Sequence, residues 1–172
     1  MRVLGIDCGS QSTGFGIVDS NGQDYQVVIY GALRLQSRQT FNQRLLKIYE
    51  YVERLIHQHL PDVVAVEDQF YLTNFKSVLK LGQIRGAVIL AAGRAGVPIV
   101  EYSPLTIKSA VTGYGRAEKH QVQAMVRNIL KLENEPKPHD AADALAVALC
   151  HIHTAGTQQK LKAGEIVERR GA

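Results

Sequence analysis

Cysteine, long apolar runs and, over one long stretch, acid are what this chain has least of. Two cysteines among 172 residues, Cys8 and Cys150, make no disulfide framework. The chain enters a strand-like segment, MRVLGID, at once, with no apolar leader ahead of it. No apolar run approaches the roughly 18 residues of a membrane span. Together these point to a cytoplasmic protein with reduced thiols and no membrane attachment. Zinc is disfavoured too. His57/His59 and His151/His153 are H-x-H pairs, and residues two apart on a helix do not face each other. Acid nearly vanishes over residues 69–117, where Lys76, Lys80, Arg85, Arg94, Lys108 and Arg116 meet Glu101 alone. Such a stretch suits a polyanion, although a solubilising face needs no more than this.

What is present is ordinary for a globular protein. Hydrophobic residues make up 45%, charged residues 21%, and the net charge is +4. The length suffices for one domain with a real core, and no internal repeat is visible. Residues 2–7 read as a wholly apolar strand of the parallel or central kind. Residues 14–19 and 25–35 read as two more strands, with the turn signal Ser20-Asn21-Gly22 between them. Residues 41–60 form an amphipathic helix with Leu45, Ile48, Val52, Leu55 and Ile56 at helical spacing. Strand 62–67, helix 76–94, strand 97–102, helix 117–132 and helix 139–151 follow, the last two separated by the Pro-rich break 134–138. The expectation is a mixed five-stranded α/β sheet flanked by helices. Residues 1–154 form the domain, and residues 155–172 form a polar tail expected to be disordered.

Four carboxylates stand where an apolar chain does not readily hold charge. Asp7 and Glu67 each end an apolar strand, and Asp140 and Asp143 lie on an almost wholly apolar helix. A lone buried charge is costly unless it is paired or binds a metal. Taken singly, Asp7 and Glu67 read as strand-end acids meeting water, and Asp140 as a helix cap. Asp143 is harder to dismiss. It shares a face with Asp140, three residues away, and that face continues through Ala144 and Val147. If the first and fourth strands are neighbours, Asp7 and Glu67 meet. Hard oxygen ligands select Mg²⁺ or Mn²⁺ over zinc, and four carboxylates suffice for two ions. Three separate segments delivering acids to one place is the pattern of a divalent-metal nuclease.

GIDCGSQSTGFG, VEDQF, NFKSVLKLGQIRGA, GRAEKHQVQ and DAADALAVAL, in that order, resemble the RuvC family of Holliday junction resolvases over about residues 1–153. The resemblance implies an RNase H-like (retroviral integrase superfamily) fold. It implies a homodimer that nicks four-way DNA junctions in pairs during recombination and repair, and a RuvA–RuvB branch-migration partner. It implies 5′-phosphate and 3′-hydroxyl products and two Mg²⁺ ions per subunit, replaceable by Mn²⁺. Mapped onto this chain, Asp7, Glu67, Asp140 and Asp143 are the metal ligands, with Asp7 shared between the ions, and Lys108 and Lys119 serve the scissile phosphate. Phe70 matches an aromatic that stacks on an unpaired base, and the small residues of helix 76–94 match the dimer surface. Lys76, Lys80, Arg85 and Arg116 are further candidate DNA contacts from the basic stretch. Without the resemblance, the lysines read as solvated, Phe70 as a loop anchor, and the small-residue helix as packing on the sheet.

Cys8 stands where relatives commonly carry proline. A thiol beside the metal site predicts sensitivity to oxidation. His139, next to Asp140, is a candidate to contact a metal or an attacking water. Three rivals share parts of the pattern. An RNA-directed relative shares the acids, and a non-cleaving junction binder does not require all four. GIDCGSQSTG also resembles the phosphate loop of sugar-kinase and actin-type ATP-binding lobes. Those proteins need two lobes and an adenosine-binding glycine motif, and this chain is too short and shows no such motif.

Overall fold

The computed structural model describes residues 1–68 and 75–170, with residues 159, 160 and 162–170 described by backbone alone. Its centre is a five-stranded sheet. Strands β1 (Arg2–Asp7), β2 (Ser12–Ser20) and β3 (Tyr25–Arg34) form an antiparallel meander, and β4 (Val63–Glu67) and β5 (Ile99–Tyr102) run parallel to β1. The order across the sheet is β3-β2-β1-β4-β5. This is the mixed RNase H-like sheet that the resemblance implies.

Helices cover both faces. Successive side chains of a strand point to opposite faces. In β1, Leu4 and Ile6 enter one core together with Val64 and Val66 of β4. There they pack under α1 (Phe41–His59) and α2 (Phe75–Arg94). Val3 enters the other core with Ala65, under α3 (Pro104–Thr112), α4 (Lys119–Ile129) and α5 (His139–Arg170). α1 opens with a capping box, in which Thr40 accepts from the Gln43 amide while Gln43 reaches back to the Thr40 amide. It closes on Leu60 in the left-handed conformation.

Two elements differ from the sequence expectation. α3 was not expected. Ser103 caps it, Pro104 occupies its first turn and Gly113 ends it at φ 78°, all helix signals that a nine-residue helix with little periodicity conceals. α5, expected to end at His151, continues to Arg170 across the segment read as a polar tail. That segment has little apolar content but carries Ala, Gln, Lys, Glu and Arg, which favour helix whether or not they are buried. The histidines of the second H-x-H pair have separate partners. His151 Nδ1 meets the Tyr102 hydroxyl at 2.8 Å, and His153 bonds the Ala110 carbonyl and the Tyr25 hydroxyl.

Candidate active site

The site begins with glycine. On the α5 side of β1 and β2, Gly5 is registered with Gly16 and Asp7 with Gly14. A Cβ on Gly5 would lie 2.1 Å from the Ala144 carbonyl oxygen, and one on Gly14 would lie 1.9 Å from that of Asp140. These bare positions let the α5 backbone rest directly on the sheet. The helix is apolar nearly all round, and Ala141 to Cys150 are buried except for the half-exposed Asp143. Its first turns therefore lie against the end of β1. Strand alternation puts Asp7 on the same face as Gly5, so the carboxylate faces α5. The β1–β4 register pairs Ile6 with Val66, which sets Asp7 and Glu67 side by side at the strand ends.

Asp7, Asp140 and Asp143 each offer a ligand atom within 4.8 Å of the others. That spacing matches carboxylate oxygens around one hard cation. Glu67 lies on the same cleft but outside this group of three. The cleft, of about 300 Å³, holds all four acids and both lysines expected from the sequence, Lys108 from α3 and Lys119 from α4. Burial, and then the charges of Glu67, Asp143 and Asp140, push the Asp7 carboxyl up to about 8. The donor set fits a divalent cation: hard oxygens, mutual repulsion and an apolar wall including Ile107, Val122 and Val147.

Lys119 Nζ donates to Asp143 Oδ2 at 2.6 Å. Burial works against the ammonium, but the bond to Asp143 and the negative charges of Asp143, Asp7 and Asp140 together outweigh it, and its pKa is raised. Lys119 thus stays a cation and holds Asp143 in place. His139 is exposed and its Nδ1 meets Gln123 Nε2 at 3.0 Å, outside the group of carboxylates. Cys8 lies on the opposite side of the sheet, 7% exposed, in the core under α1 and α2. Burial and the neighbouring Asp7 raise its thiol pKa. Adjacent strand residues face opposite ways, so the thiol points away from the metal-site cleft, and burial makes it a poor thiolate. This argues against the expected oxidation sensitivity.

The remaining candidates divide. Lys76, Lys80 and Arg116 are exposed, Lys80 lying 5.9 Å from the centre of the Phe41 ring. Arg85 is held inward. It meets Asp68 at 3.0 Å and Glu101 through both Nε and Nη2, so it braces the end of β4 beside Glu67. Phe70 lies outside the described residues. Sequence reasoning missed two contributors to the site, the glycine floor and the brace by Arg85. The Gly14-x-Gly16 alternation in β2, registered with Gly5 of β1, is the one signal that could have pointed to the floor.

The sequence matches the family described as crossover junction endodeoxyribonuclease RuvC over residues 3–151. The chain is 49% identical to the Koribacter versatilis protein of that description, over 95% of this chain and 99% of the relative. In three dimensions it is similar to Thermus thermophilus RuvC, with a TM-score of 0.86 at 36% identity, covering 92% of this chain and 97% of the other. It is also similar to T. thermophilus RuvC in complex with a Holliday junction substrate, with a TM-score of 0.83 at 35% identity, covering 90% and 95%.

Proposed function

This chain belongs to the RuvC family of crossover junction endodeoxyribonucleases, and from that premise we propose how its cleft works on DNA. The protein is a nuclease that resolves Holliday junctions in recombination and repair, leaving 5′-phosphate and 3′-hydroxyl ends. The observation that carries the site assignment is the convergence of Asp7, Asp140 and Asp143 within 4.8 Å, in a cleft shared with Glu67, Lys108 and Lys119. Two Mg²⁺ ions, or Mn²⁺ in their place, would be held by Asp7 with Asp140 and Asp143 and by Asp7 with Glu67. When bound they supply an activated water and neutralise charge on the phosphodiester.

The protein's own groups do the rest. Asp7 must give up the proton that burial and its acidic neighbours favour before it can act as a ligand. Lys119 fixes Asp143 and keeps a positive charge beside the phosphate. Lys108 adds a second cation on the α3 wall, where negative charge builds on the phosphoryl oxygens. Lys76, Lys80 and Arg116 add exposed charge for the flanking backbone. Phe70 is retained as the stacking aromatic. Arg85 is assigned to positioning Glu67.

Paired nicks require two such sites, and α2 supports a homodimer. Its inner positions Ile84, Val88, Ala91 and Ala92 are buried on the sheet. Phe75, Leu79, Ile89 and Leu90 are exposed on its other positions, where Gly82, Gly86 and Gly93 leave open space. A twofold pairing through that face matches a near-symmetric junction. We place residues 1–154 as the nuclease domain, RuvA–RuvB as the branch-migration partner, and the cytoplasm as the site of action. No described helix is long and apolar enough to cross a membrane. The test is cleavage of an immobile four-way junction, a linear duplex and an RNA–DNA hybrid, each with Mg²⁺ or Mn²⁺. Symmetric nicks in the junction alone are expected. Cutting of the hybrid instead would transfer the protein to RNA-directed chemistry. Binding without nicks in either metal would reduce it to a junction-binding protein.

A further inference from the structure

A second groove, of about 380 Å³, adjoins the acid-lined cleft. Asp140 belongs to the lining of both, whereas Lys108 and Lys119 belong to the first alone. The two depressions therefore meet at the first turn of α5, and the second leads away from the lysines. Its lining includes Arg34, Arg44 and Ser12. Arg34 ends β3 opposite Ser12 and is exposed. Among the described residues its guanidinium has no hydrogen bond or ion pair. Arg44 is held differently. It donates to the carbonyl oxygens of Gln39, Ser10 and Ser37 at 3.2, 3.2 and 3.0 Å. Carbonyls fix a guanidinium without cancelling its charge. The segment 34–49 contributes Arg34, Arg38, Arg44 and Lys47 and no acid. This is a second basic stretch, separate in sequence from residues 69–117, and its Arg34 and Arg44 line the groove with Asp140.

We propose that this groove is a second phosphate-binding site for the nucleic acid, in which Arg34 anchors the cleaved strand where it leaves the metal centre beyond Asp140. The proposal rests on the resolvase reading. A planar, permanently charged fork at a groove wall suits a phosphate. Arg44, already fixed, supplies field without having to be ordered on binding. The strand would then be held on both sides of the scissile bond: by Lys108 and Lys119 on one side, and by Arg34 on the other. Arg34 thereby adds to the affinity for the strand rather than to the chemical step.

Single-turnover cleavage of a four-way junction by the full chain in Mg²⁺, at varied enzyme and KCl concentrations, separates binding from chemistry. Arg34→Ala should raise the half-saturating concentration roughly tenfold, keep the limiting rate within about twofold, and flatten the log–log salt dependence by about one. Arg34→Lys should restore the salt slope and most of the affinity. Arg54→Ala, which removes an exposed cation from α1 outside the groove, should change neither. A scan of single methylphosphonate substitutions around the cut should find one phosphate whose neutralisation weakens the wild type but not Arg34→Ala. An Arg34→Ala protein with the wild-type half-saturation and salt slope overturns the groove and leaves the resolvase reading standing. So does one that loses limiting rate alone. A wild type that cuts no junction sinks both.

Discussion

The central strand β1 carries a charged residue at each end, and the two ends treat charge in opposite ways. At the first, Arg2 forks onto Asp19 with both contacts at 2.8 Å, and a third guanidinium nitrogen donates to the His59 carbonyl at 2.7 Å. The Arg2 amide donates to Asp62, and the N-terminal ammonium donates to the Ser20 carbonyl. The bond from Arg2 holds Asp19 below the usual carboxylate range. At the other end four carboxylates face two lysines, and Asp7 is pushed up to about 8. One end is closed within the chain and stabilises it. The other carries an excess of like charge that only a cation from outside can relieve, and that excess is what marks it as functional.

The sharpest way to break the contrast is Asp7→Asn. Nicking should fall by more than about 10³-fold while junction binding persists. Retained nicking would count directly against the metal assignment. The same change should stabilise the metal-free protein at alkaline pH. Asp7 is an acid whose folded pKa lies above its unfolded value of 3.8. Folding therefore takes up a proton between those values, and stability declines as pH rises from about 4 to about 8, then levels off. Melting temperatures of the metal-free wild type should show that decline, and Asp7→Asn should flatten it.

A second break is steric. A Cβ on Gly5 would meet the α5 backbone at 2.1 Å, so Gly5→Ala must lift the helix that carries Asp140 and Asp143 away from Asp7. We expect about 3 kcal/mol less stability by urea unfolding and a roughly 10²-fold lower cleavage rate. Loss of stability with an unchanged rate would mean that α5 tilts without separating the acids. A milder perturbation is metal itself. Mg²⁺ must displace the proton on Asp7, so the rise in melting temperature at fixed Mg²⁺ should grow between pH 6 and pH 8.5. Equal rises at both pH values would show that the cation does not use Asp7.

The functional end was the more legible in sequence, because charge at the end of an apolar strand or on an apolar helix is anomalous without any coordinates. Asp7 and Glu67 needed only the β1–β4 pairing to meet, and Asp140 and Asp143 needed only helical spacing. What stayed hidden depended on the third dimension. Arg85 counts as one more base in a basic stretch until Asp68 and Glu101 are seen around it. Nor does a run of glycines announce that a helix lies on it. Cys8 was misplaced for a simpler reason. Strand alternation alone sends residue 8 to the face opposite residue 7, and the thiol belongs to the α1–α2 core.

The closed end sharpens the comparison through the smallest effect. Arg2→Ala removes the fork to Asp19 and the bond to His59, so it takes a cation from a carboxylate that the cation holds in its charged form. Asp19 is an acid whose folded pKa is lowered, so its contribution is present above its unfolded pKa and lost as pH falls through the folded value. Both side chains are about one-third exposed, at 36% and 34%, and solvent screens such pairs strongly. The expected cost is therefore a fall in melting temperature of about 2 °C at pH 7, shrinking towards pH 3 and in high salt. Junction cleavage should be untouched, since the opposite end of β1 keeps Asp7, the glycine floor and α5 in place. A loss of cleavage comparable to that of Gly5→Ala would mean that the two ends of the strand are mechanically coupled, and that the closed end positions the acids as well as stabilising the fold.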